Sequence, residues 1–506
     1  MIVYLRIGSD GCRTWLLHLI EQLKKNTDIQ LRLDVVEPKD SQPKQLQSLL
    51  NLEKTLLNGN QPNGADICSP DSLSLKSVKQ KWSGGIIIDL TNEEGAHTKL
   101  RTLKPRYNGV AGEEALAAIL LESGSPEITI EDSKSGRFVA KGTASLEAAT
   151  GISGAMEAVY SRLTILLARV LRGIEDDYAV SEKKPFAPLT KGKTIKHIVR
   201  GLGANMARAI YDLSCYPSHW RIGWRFVDGN GVLENQNLDG PKWNVLPHPI
   251  DHFYADPFPF EWQGKYYLFF EDLDQKTGKG VISYVPIDEN GPRGPVQVVL
   301  EENWHLSYPF LIEQDGEIWM IPESSINNDV AIYRAVDFPH KWERHETLLS
   351  NVEASDATII EHQGAWWMFA VTREGTGGYS DTLCLYKADS LFGPWKPHKK
   401  NPVLVDHETA RPAGNSVMYE EALWRPVQNC KGGYGTGLGL AKITKLDDEG
   451  FEQEIKEVIY PGKPTWPGRK LHSFNRAGRL EVIDGCIYRP KLKWLAKLVD
   501  RYYRPR

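Results

Sequence analysis

Three stretches of the chain repeat one pattern of apolar and polar positions: 254–260 with 264–271, 307–310 with 316–321, and 355–358 with 364–369. In each copy a singular residue, Asp256, Tyr308 or Asp356, stands eight positions before a glycine that opens an aromatic run. Apolar runs bounded by turn residues are typical of buried strands, and glycine supplies the positive φ of a hairpin turn. The glycines recur about every fifty residues, which is the period of a four-stranded propeller blade.

Two weaker copies follow, at 411–416 with 421–428 and at 472–475 with 478–484. A strand at 220–226 precedes the first copy, and propellers commonly close by pairing such a strand with the last blade. The pattern therefore predicts an all-β propeller of five blades over residues 220–490.

Residues 1–175 show a different pattern, in which apolar strands alternate with amphipathic helices. Strands are predicted at 2–7, 30–36, 85–90, 127–131 and 137–141, and helices at 14–25, 45–57, 113–122 and 156–172. This alternation predicts an α/β domain built on a parallel sheet. The turn at 8–11 lacks both GxGxxG spacing and a P-loop lysine, so we interpret it as a plain strand-to-helix turn.

Composition narrows the classes of function. A net charge of −4 gives no global case for nucleic-acid binding. The six cysteines are scattered without CxxC or zinc-type spacing, which favours free thiols in a reducing compartment and no metal site. We see no signal-peptide pattern, no apolar run of membrane-spanning length and no cofactor motif, so we expect a cytoplasmic protein without a cofactor.

Two segments are basic and amphipathic. Residues 176–219 form a predicted linker and lead-in, and 183–225 hold nine lysines and arginines against the single acid Asp212. That segment is either a solvated helix packed across the domain junction or a surface for anionic membranes or phosphorylated ligands. The tail at 491–506 interleaves basic residues with aromatic ones, and we expect it to contact the inner face of a membrane peripherally.

Candidate chemistry lies where the blades would converge. If the blades superpose, one axial pocket gathers Asp256, Tyr308, Asp356, the Arg411–Asn415 loop and His472, with Glu271 and Glu323 ending the aromatic strands of the first two blades. Glycosidic chemistry needs an ionised carboxylate facing a protonated acid. Each of these residues also has a structural interpretation, such as a turn cap, a satisfied buried histidine or a charge pair between blades.

The repeat region resembles known propellers. Asp256-Pro257 with the run at 264–269, and 391–395 leading to 401–404, resemble the five-bladed propellers of glycoside hydrolase family 43. A closer similarity, carried by 305–309, 321–324, 411–414 and 434–435, is to the N-terminal propeller of the glucosamine inositolphosphorylceramide transferases. Fold alone does not fix the reaction.

This resemblance implies roles for the candidate residues. Asp256 matches the catalytic base of the hydrolases, and Asp356 matches the aspartate that orients the substrate. The hydrolases carry their general-acid glutamate on blade four, where this chain has Arg411, which binds phosphate or carboxylate bidentately. The missing proton would then come from Glu323 or His305, with His472, Tyr308, Glu271 and Asn415 as further substrate contacts.

The N-terminal half resembles formyltransferase-like domains in the order of its elements, on 106–109, a hairpin ending near Gly142 and a last helix with Arg162 and 169–172. Those enzymes use an Asn, His and Asp constellation. This chain has 100–105 where their histidine segment lies, and His97 stands in a polar loop. The resemblance therefore implies a domain that has lost formyl transfer.

The leading hypothesis is a carbohydrate-active protein of surface-glycan or glycolipid assembly, which binds or transfers a sugar or sugar phosphate in the propeller channel. Three alternatives remain open: a glycoside hydrolase with a relocated acid, a non-catalytic glycan-binding scaffold, and a formyltransferase. Whether the protein is an enzyme is undecided at this point.

Overall fold

A computed structural model describes residues 1–9, 12–25, 28–37, 44–57, 59, 61–78, 82–91, 93, 100–178, 187–373 and 375–506. His97 and part of the turn at 8–11 lie outside the described residues. The chain divides into two compact units, Met1–Ala207 with Glu374–Gly378, and Arg208–Arg373 with Tyr379–Arg506.

The first unit is an α/β unit with one seven-stranded sheet in the order β3-β2-β1-β4-β5-β6-β7. Its strands are β1 (Ile2–Gly8), β2 (Gln30–Val36), β3 (Lys76–Ser77), β4 (Ile86–Asp89), β5 (Arg101–Tyr107), β6 (Glu127–Asp132) and β7 (Arg137–Thr143). Its helices are α1 (Trp15–Lys24), α2 (Lys44–Leu56), α3 (Glu113–Ser123) and α4 (Gly151–Leu171), with a 3₁₀ turn at Pro70–Leu73. Strands β1 to β5 pair in parallel, and β6 and β7 are added antiparallel. The likeness of this unit to formyltransferases stays a prediction.

One central strand of this sheet was not predicted. The segment at 101–107 contains three basic residues and a proline, and no strand was expected there, yet it pairs with β4 on one side and β6 on the other. Its Lys104 is buried and places Nζ 3.3 Å from Asp89 Oδ2. Arg6 Nη1 lies 3.1 Å from the same oxygen. Charge pairing inside the sheet therefore permits a strand that polarity alone argues against.

A single helix, α5 (Lys191–Ser214), occupies much of the predicted linker, and the boundary between the two units falls within it. One stripe of large apolar side chains along this helix is 45% to 80% exposed: Ile195, Val199, Leu202, Met206, Ile210 and Leu213. None of the helices in the described ranges is long and apolar enough to cross a membrane.

The second unit is a five-bladed β-propeller, as the repeat predicts: its blades are five antiparallel sheets, each with at least four strands. A lead-in holds β8 (Cys215–Tyr216), β9 (Trp220–Phe226), α6 (Val232–Asn235) and β10 (Asn244–Val245). Blade one holds β11 (His252–Trp262), β12 (Lys265–Asp274), β13 (Lys279–Asp288), β14 (Gly291–Pro292) and β15 (Gln297–Leu300). Blade two holds β16 (Ser307–Gln314), β17 (Glu317–Glu323), β18 (Asp329–Asp337) and β19 (Lys341–Ser350), with a 3₁₀ turn at Ser325–Asn327.

The remaining blades follow in chain order. Blade three holds β20 (Ala354–His362), β21 (Ala365–Thr372), β22 (Thr382–Ala388), β23 (Lys396–Pro397) and β24 (Leu404–Val405). Blade four holds β25 (Val417–Tyr419), β26 (Ala422–Asn429), β27 (Gly437–Asp447) and β28 (Gly450–Ile459). Blade five contributes β29 (Phe474–Ala477) and β30 (Leu480–Cys486), and the chain ends with β31 (Arg489–Pro490) and α7 (Lys493–Tyr502).

The ring closes as predicted. Strand β9 pairs antiparallel with β30, from Phe226 opposite Leu480 to Trp220 opposite Cys486, so blade five is built from both ends of the propeller sequence. The aromatic runs form the core between blades, where Phe269, Trp319, Trp342 and Trp366 lie buried in one cluster. Burial of these large side chains is the main stabilising contribution to the ring.

The singular residue of each strong repeat adopts a left-handed backbone conformation. Asp256, Tyr308 and Asp356 have φ of 49°, 44° and 55°. At each of them the pairing of the first two strands shifts register, which marks a β-bulge. A non-glycine residue in this conformation costs about 1 kcal/mol or more, so the surrounding sheet must hold it there. The repeat therefore uses a bulge to turn one chosen side chain out of the strand pattern.

Candidate functional site

Blades one and five meet at a triad of buried groups around His472. Its Nδ1 lies 2.7 Å from Asp484 Oδ1, and its Nε2 lies 3.1 Å from Asp256 Oδ1. Asp484 also accepts the backbone N–H groups of Asp256, His472 and Ser473 at 3.1, 3.2 and 3.1 Å. The bulge at Asp256 and the start of blade five are thus both fixed by one carboxylate.

This arrangement holds His472 as a cation. Burial alone would lower its pKa, but the Asp484 and Asp256 carboxylates outweigh burial and raise the pKa to about 10. The three side chains are close enough together to be considered as metal ligands. Both ring nitrogens, however, donate to carboxylates, so the imidazolium has no lone pair to offer a metal ion in this geometry.

Blades three and four meet at a second pair. Arg411 donates from Nε to Asp356 Oδ2 at 2.6 Å and from Nη2 to Oδ1 at 3.3 Å. Gln428 Nε2 donates to Asp356 Oδ2 at 3.0 Å. Burial raises the pKa of Asp356, and the Arg411 guanidinium opposes this rise only in part. The partners of this carboxyl group are N–H donors, which is the environment of an ionised carboxylate.

A third pair lies on the inner side of blade one. His305 Nε2 is 3.2 Å from Glu271 Oε1, and the Gly280 N–H donates to His305 Nδ1 at 3.0 Å. Since Nδ1 accepts a hydrogen bond, the proton of the neutral ring is on Nε2, toward Glu271. Burial raises the pKa of Glu271, and His305 opposes this in part. The Glu271 carboxyl group and the His305 ring can therefore exchange a proton with each other.

Glu323 and Tyr434 connect the pairs. Glu323 Oε2 accepts the backbone N–H of Asp356 at 3.3 Å and lies 3.8 Å from Arg411 Nη2. The Tyr434 ring packs under the Arg411 guanidinium at 4.9 Å and beside the His472 ring at 5.2 Å. Charges on Asp256, Asp356 and Glu323 all act on the Tyr434 hydroxyl, whose pKa burial raises. Together with the three preceding groups they form one centre, which we call the carboxylate centre. Its members are Asp256, Asp484, His472, Asp356, Arg411, Gln428, Glu271, His305, Glu323 and Tyr434.

Two predicted substrate contacts have structural partners of their own. Tyr308 is fully buried, and its hydroxyl is hydrogen-bonded to Thr358 Oγ1 at 2.9 Å; the charges of Asp356 and Asp256 act on this hydroxyl, so Tyr308 is a buried neighbour of the centre. Asn415 donates its backbone N–H to Asn475 Oδ1 at 2.7 Å and lines a separate cavity of about 230 Å³ with Tyr419 and Trp424. Arg411 and Asn415, at the two ends of this loop, therefore lie in different environments: Arg411 in the carboxylate centre and Asn415 at the separate cavity.

Sequence reasoning missed four members or neighbours of the centre: Asp484, Gln428, Tyr434 and Trp220. A signal for two of them exists in the repeat. Glu271, Glu323 and Gln428 each stand seven residues after a turn residue with positive φ, at 264, 316 and 421, and Asp484 stands six residues after Gly478. Trp220, whose ring lies 4.0 Å from the His472 ring, follows no comparable pattern.

The fold and this centre define a class: a five-bladed β-propeller with buried acidic and basic side chains where its blades converge. Within it, residues 247–484 match the family model described as glucosamine inositolphosphorylceramide transferase 1, N-terminal. The resemblance inferred for the propeller from its motifs is thereby confirmed.

Curated relatives carry the same description. The chain is 35% identical over 270 residues to glucosamine inositolphosphorylceramide transferase 1 of Arabidopsis thaliana, covering 52% of this chain and 35% of that protein. It is 32% identical over 313 residues to the protein of that name from Oryza sativa subsp. japonica, covering 55% and 41%. The match thus spans less than half the length of these relatives.

Solved structures show more distant similarity. Zg3597, a family 117 glycoside hydrolase of Zobellia galactanivorans, is 15% identical, with a TM-score of 0.34 over 53% of this chain and 90% of that one. A thermostable family-43 glycoside hydrolase is 14% identical, with a TM-score of 0.30 over 42% of this chain and 77% of that one.

Proposed function

We propose that the carboxylate centre binds a sugar and takes part in its transfer during the assembly of a glycolipid or surface glycan. The observation that supports this most directly is the convergence of Asp256, Glu271 and Glu323 in one centre of the propeller. The names of the curated relatives add that the sugar is glucosamine and that the acceptor is an inositolphosphorylceramide, and we extend both to this chain as part of the proposal.

The charges of the centre favour a neutral or amino sugar over an anionic group. Five carboxyl groups face one arginine and two histidines: Asp256, Glu271, Glu323, Asp356 and Asp484 against Arg411, His305 and His472. Arg411 was expected from the sequence to hold an anion, but its charge is paired with Asp356. Our proposal therefore places the sugar ring at the centre and any phosphate of the donor away from Arg411.

We assign the role of each side chain from the hydrogen-bonding capacity that its contacts in the structure leave unused. Asp256 uses Oδ1 for His472, and among the described residues Oδ2 has no hydrogen-bond partner, so it can accept a proton from an attacking hydroxyl. Glu271, whose pKa burial raises, can donate a proton, directly or through His305, to the oxygen of the group that leaves the anomeric carbon. Asp356 holds Arg411 in place through both of its oxygens. Glu323 accepts the Ser325 hydroxyl on Oε1 at 2.9 Å and the Asp356 N–H on Oε2 at 3.3 Å, and each oxygen keeps a second lone pair that can accept a hydrogen bond from a sugar hydroxyl group.

Hydrolysis is the second candidate, and the same Glu271–His305 pair favours it, because a carboxyl group whose pKa is raised by burial is what a relocated general acid requires. The two candidates share their residues and differ in the acceptor, which is water in hydrolysis.

The test is a binding panel. Calorimetric titration of the whole chain with glucose, glucosamine, N-acetylglucosamine, glucuronate and glucosamine phosphate is expected to rank neutral and amino sugars above the anionic ones. Asp256→Asn, which keeps the shape of the side chain, is expected to weaken the best ligand by on the order of tenfold or more, since a hydrogen bond to a charged group is lost.

A matched control is Asp272→Asn. Asp272 is also buried and paired with a histidine, His252 Nδ1 to Asp272 Oδ1 at 2.7 Å, but the pair is not part of the centre. Equal weakening by both variants, or tightest binding of the anionic sugars, would contradict the proposal. Tight binding without turnover of any sugar donor would instead select the scaffold alternative.

A further inference from the structure

Exposed apolar side chains collect at one place in the second unit. The end of α5 and the segment from Tyr488 through α7 carry large apolar residues that are 40% to 80% exposed: Ile210, Leu213, Tyr488, Leu492, Trp494, Leu498 and Tyr502. We call this set the α7 face. Along α7 itself, Trp494, Leu498 and Tyr502 follow one another every four residues and therefore share one side of the helix. Ala496, on the opposite side, is buried.

Backbone contacts hold the parts of this face together. Strand β8 pairs with β31, with Cys215 opposite Pro490 and Tyr216 opposite Arg489. The Lys491 N–H donates to Ser214 O at 2.9 Å, and the Tyr211 and Tyr488 rings lie 6.0 Å apart. These contacts hold the end of α5 next to the start of α7.

Basic residues surround the α7 face. Lys493, Lys497 and Arg501 are exposed, and each immediately precedes or adjoins one of the apolar residues on α7. Lys463 lies 3.5 Å over the Tyr502 ring, and Arg469 lies 4.1 Å over the Tyr488 ring. Asp500, the one acidic residue within α7, points away and pairs with Arg489 at 2.8 Å. Apolar and cationic side chains are thus presented together.

The positive charge continues into a cavity of about 470 Å³ beside the helix. Its lining includes Arg221, Lys242, Arg489 and Arg504; Asp500, the one acid in this lining, is paired with Arg489, so the net positive charge comes from the other three. Arg221 is almost fully buried; its Nη2 donates to the backbone oxygens of Pro467 and Tyr503, and its Nε has no hydrogen-bond partner among the described residues. A cavity of this charge next to an interfacial helix is complementary to phosphate head groups.

We propose that the α7 face docks on an anionic membrane surface, with α7 lying in the plane of the interface. A ten-residue helix is too short to span a bilayer but suits this position, in which aromatic and leucine side chains enter the head-group region and lysines bind anionic lipids. The membrane is chosen over a protein partner because basic and apolar residues alternate on the same side, whereas the core of a protein interface is depleted of lysine.

The experiment is vesicle flotation with the whole chain. Binding is expected to vesicles that contain phosphatidylserine and to be at least tenfold weaker to vesicles of phosphatidylcholine alone, and it is expected to fall as salt is raised. Inorganic phosphate at the same ionic strength as a chloride control tests whether the ligand is free phosphate. Loss of vesicle binding in phosphate alone would overturn the membrane as the partner.

Two variants separate the contributions. Lys493→Glu/Lys497→Glu/Arg501→Glu is expected to lower partitioning by on the order of a hundredfold. Trp494→Ala/Leu498→Ala/Tyr502→Ala is expected to lower it by about ten- to a hundredfold. All six side chains are exposed, so we expect both variants to keep the fold.

Matched controls lie on the blades. Ile326→Ala/Val336→Ala/Met418→Ala removes equally exposed apolar side chains, and Lys265→Glu/Lys341→Glu/Lys396→Glu reverses three exposed lysines. Partitioning equal to the unchanged chain is expected for the apolar control, and a much smaller loss than in the α7 variant for the charge control. Equal partitioning to neutral and anionic vesicles would overturn the proposal. So would a dimer in sedimentation that the apolar α7 variant dissociates, because the face would then join two copies.

Discussion

Two aspartates at the same position of the repeat have different partners. Asp256 and Asp356 both sit in a β-bulge with positive φ, and both face a cation from the preceding or following blade. Asp356 faces Arg411, which cannot lose its proton and which occupies both carboxylate oxygens. Asp256 faces His472, which is held by a second carboxylate and leaves one oxygen of Asp256 without a partner among the described residues.

The difference shows how one repeat can produce two kinds of site. The bulge places a carboxylate at the centre of the ring. The cation that faces the carboxylate then determines whether both of its oxygens are hydrogen-bonded, which we call a closed pair, or whether one oxygen is left without a partner, which we call an open pair. The Asp356 side is a closed ion pair that stabilises the centre. The Asp256 side keeps a proton-accepting atom and a titratable neighbour, which is what binding or transfer of a sugar requires.

The largest expected effect comes from breaking the closed pair. Arg411→Ala leaves Asp356 buried without its cation, and we expect the free energy of unfolding to fall by about 3–5 kcal/mol. Urea denaturation measures this change. Arg411→Met combined with Asp356→Asn removes both charges and is expected to recover most of the loss. A single variant that costs less than about 1 kcal/mol would show that the pair is not closed.

The open side should respond to pH. His472 has a folded-state pKa of about 10 against an ordinary value of 6.5, so its stabilising contribution is fully present below pH 6.5 and is lost as pH rises toward 10. The difference in unfolding free energy between the unchanged chain and His472→Gln is expected to shrink over that window by on the order of a few kcal/mol. A difference that stays constant with pH would mean that His472 is not held as a cation.

The smallest expected effect tests the repeat itself. Gly264 and Gly364 open equivalent turns with φ of +72° and +75°, and a Cβ at either would meet no atom of the described residues within 4 Å, so alanine costs only backbone strain. Gly264→Ala and Gly364→Ala are each expected to destabilise the protein by about 1 kcal/mol. Gly294→Ala, at an equally open position without positive φ, is the control and is expected to be neutral or slightly stabilising. Unequal losses at 264 and 364 would contradict the equivalence of blades one and three.

Much of the fold could be predicted because buried strands need apolar residues and tight turns need glycine, and both therefore recur at regular intervals along the sequence. The turn glycines, the aromatic runs and the closing strand at 220–226 all carry that period. The strand at 101–107 could not be predicted, because its place in the sheet depends on charge pairing between Lys104, Arg6 and Asp89, which are distant in sequence.

The candidate site was predictable to the extent that it follows the repeat. Asp256, Asp356, Glu271 and Glu323 occupy repeated positions and do converge electrostatically. The sequence did not show which oxygen of each carboxylate is already bonded, and therefore did not show that Arg411 is spent on Asp356 or that Asp484 stands behind His472. Which side chain is hydrogen-bonded to each carboxylate oxygen depends on three-dimensional packing, and the spacing of residues along the chain does not show it.

The most direct test of the central claim is a crystal structure of the chain with the sugar that binds best in the titration panel. We expect a sugar ring in contact with Asp256 and Glu323, with a hydroxyl or amino group near the Asp256 Oδ2 atom and with the Arg411–Asp356 pair intact. A sugar bound instead in the cavity beside Asn415, or one whose charged group breaks the pair to reach Arg411, would contradict it.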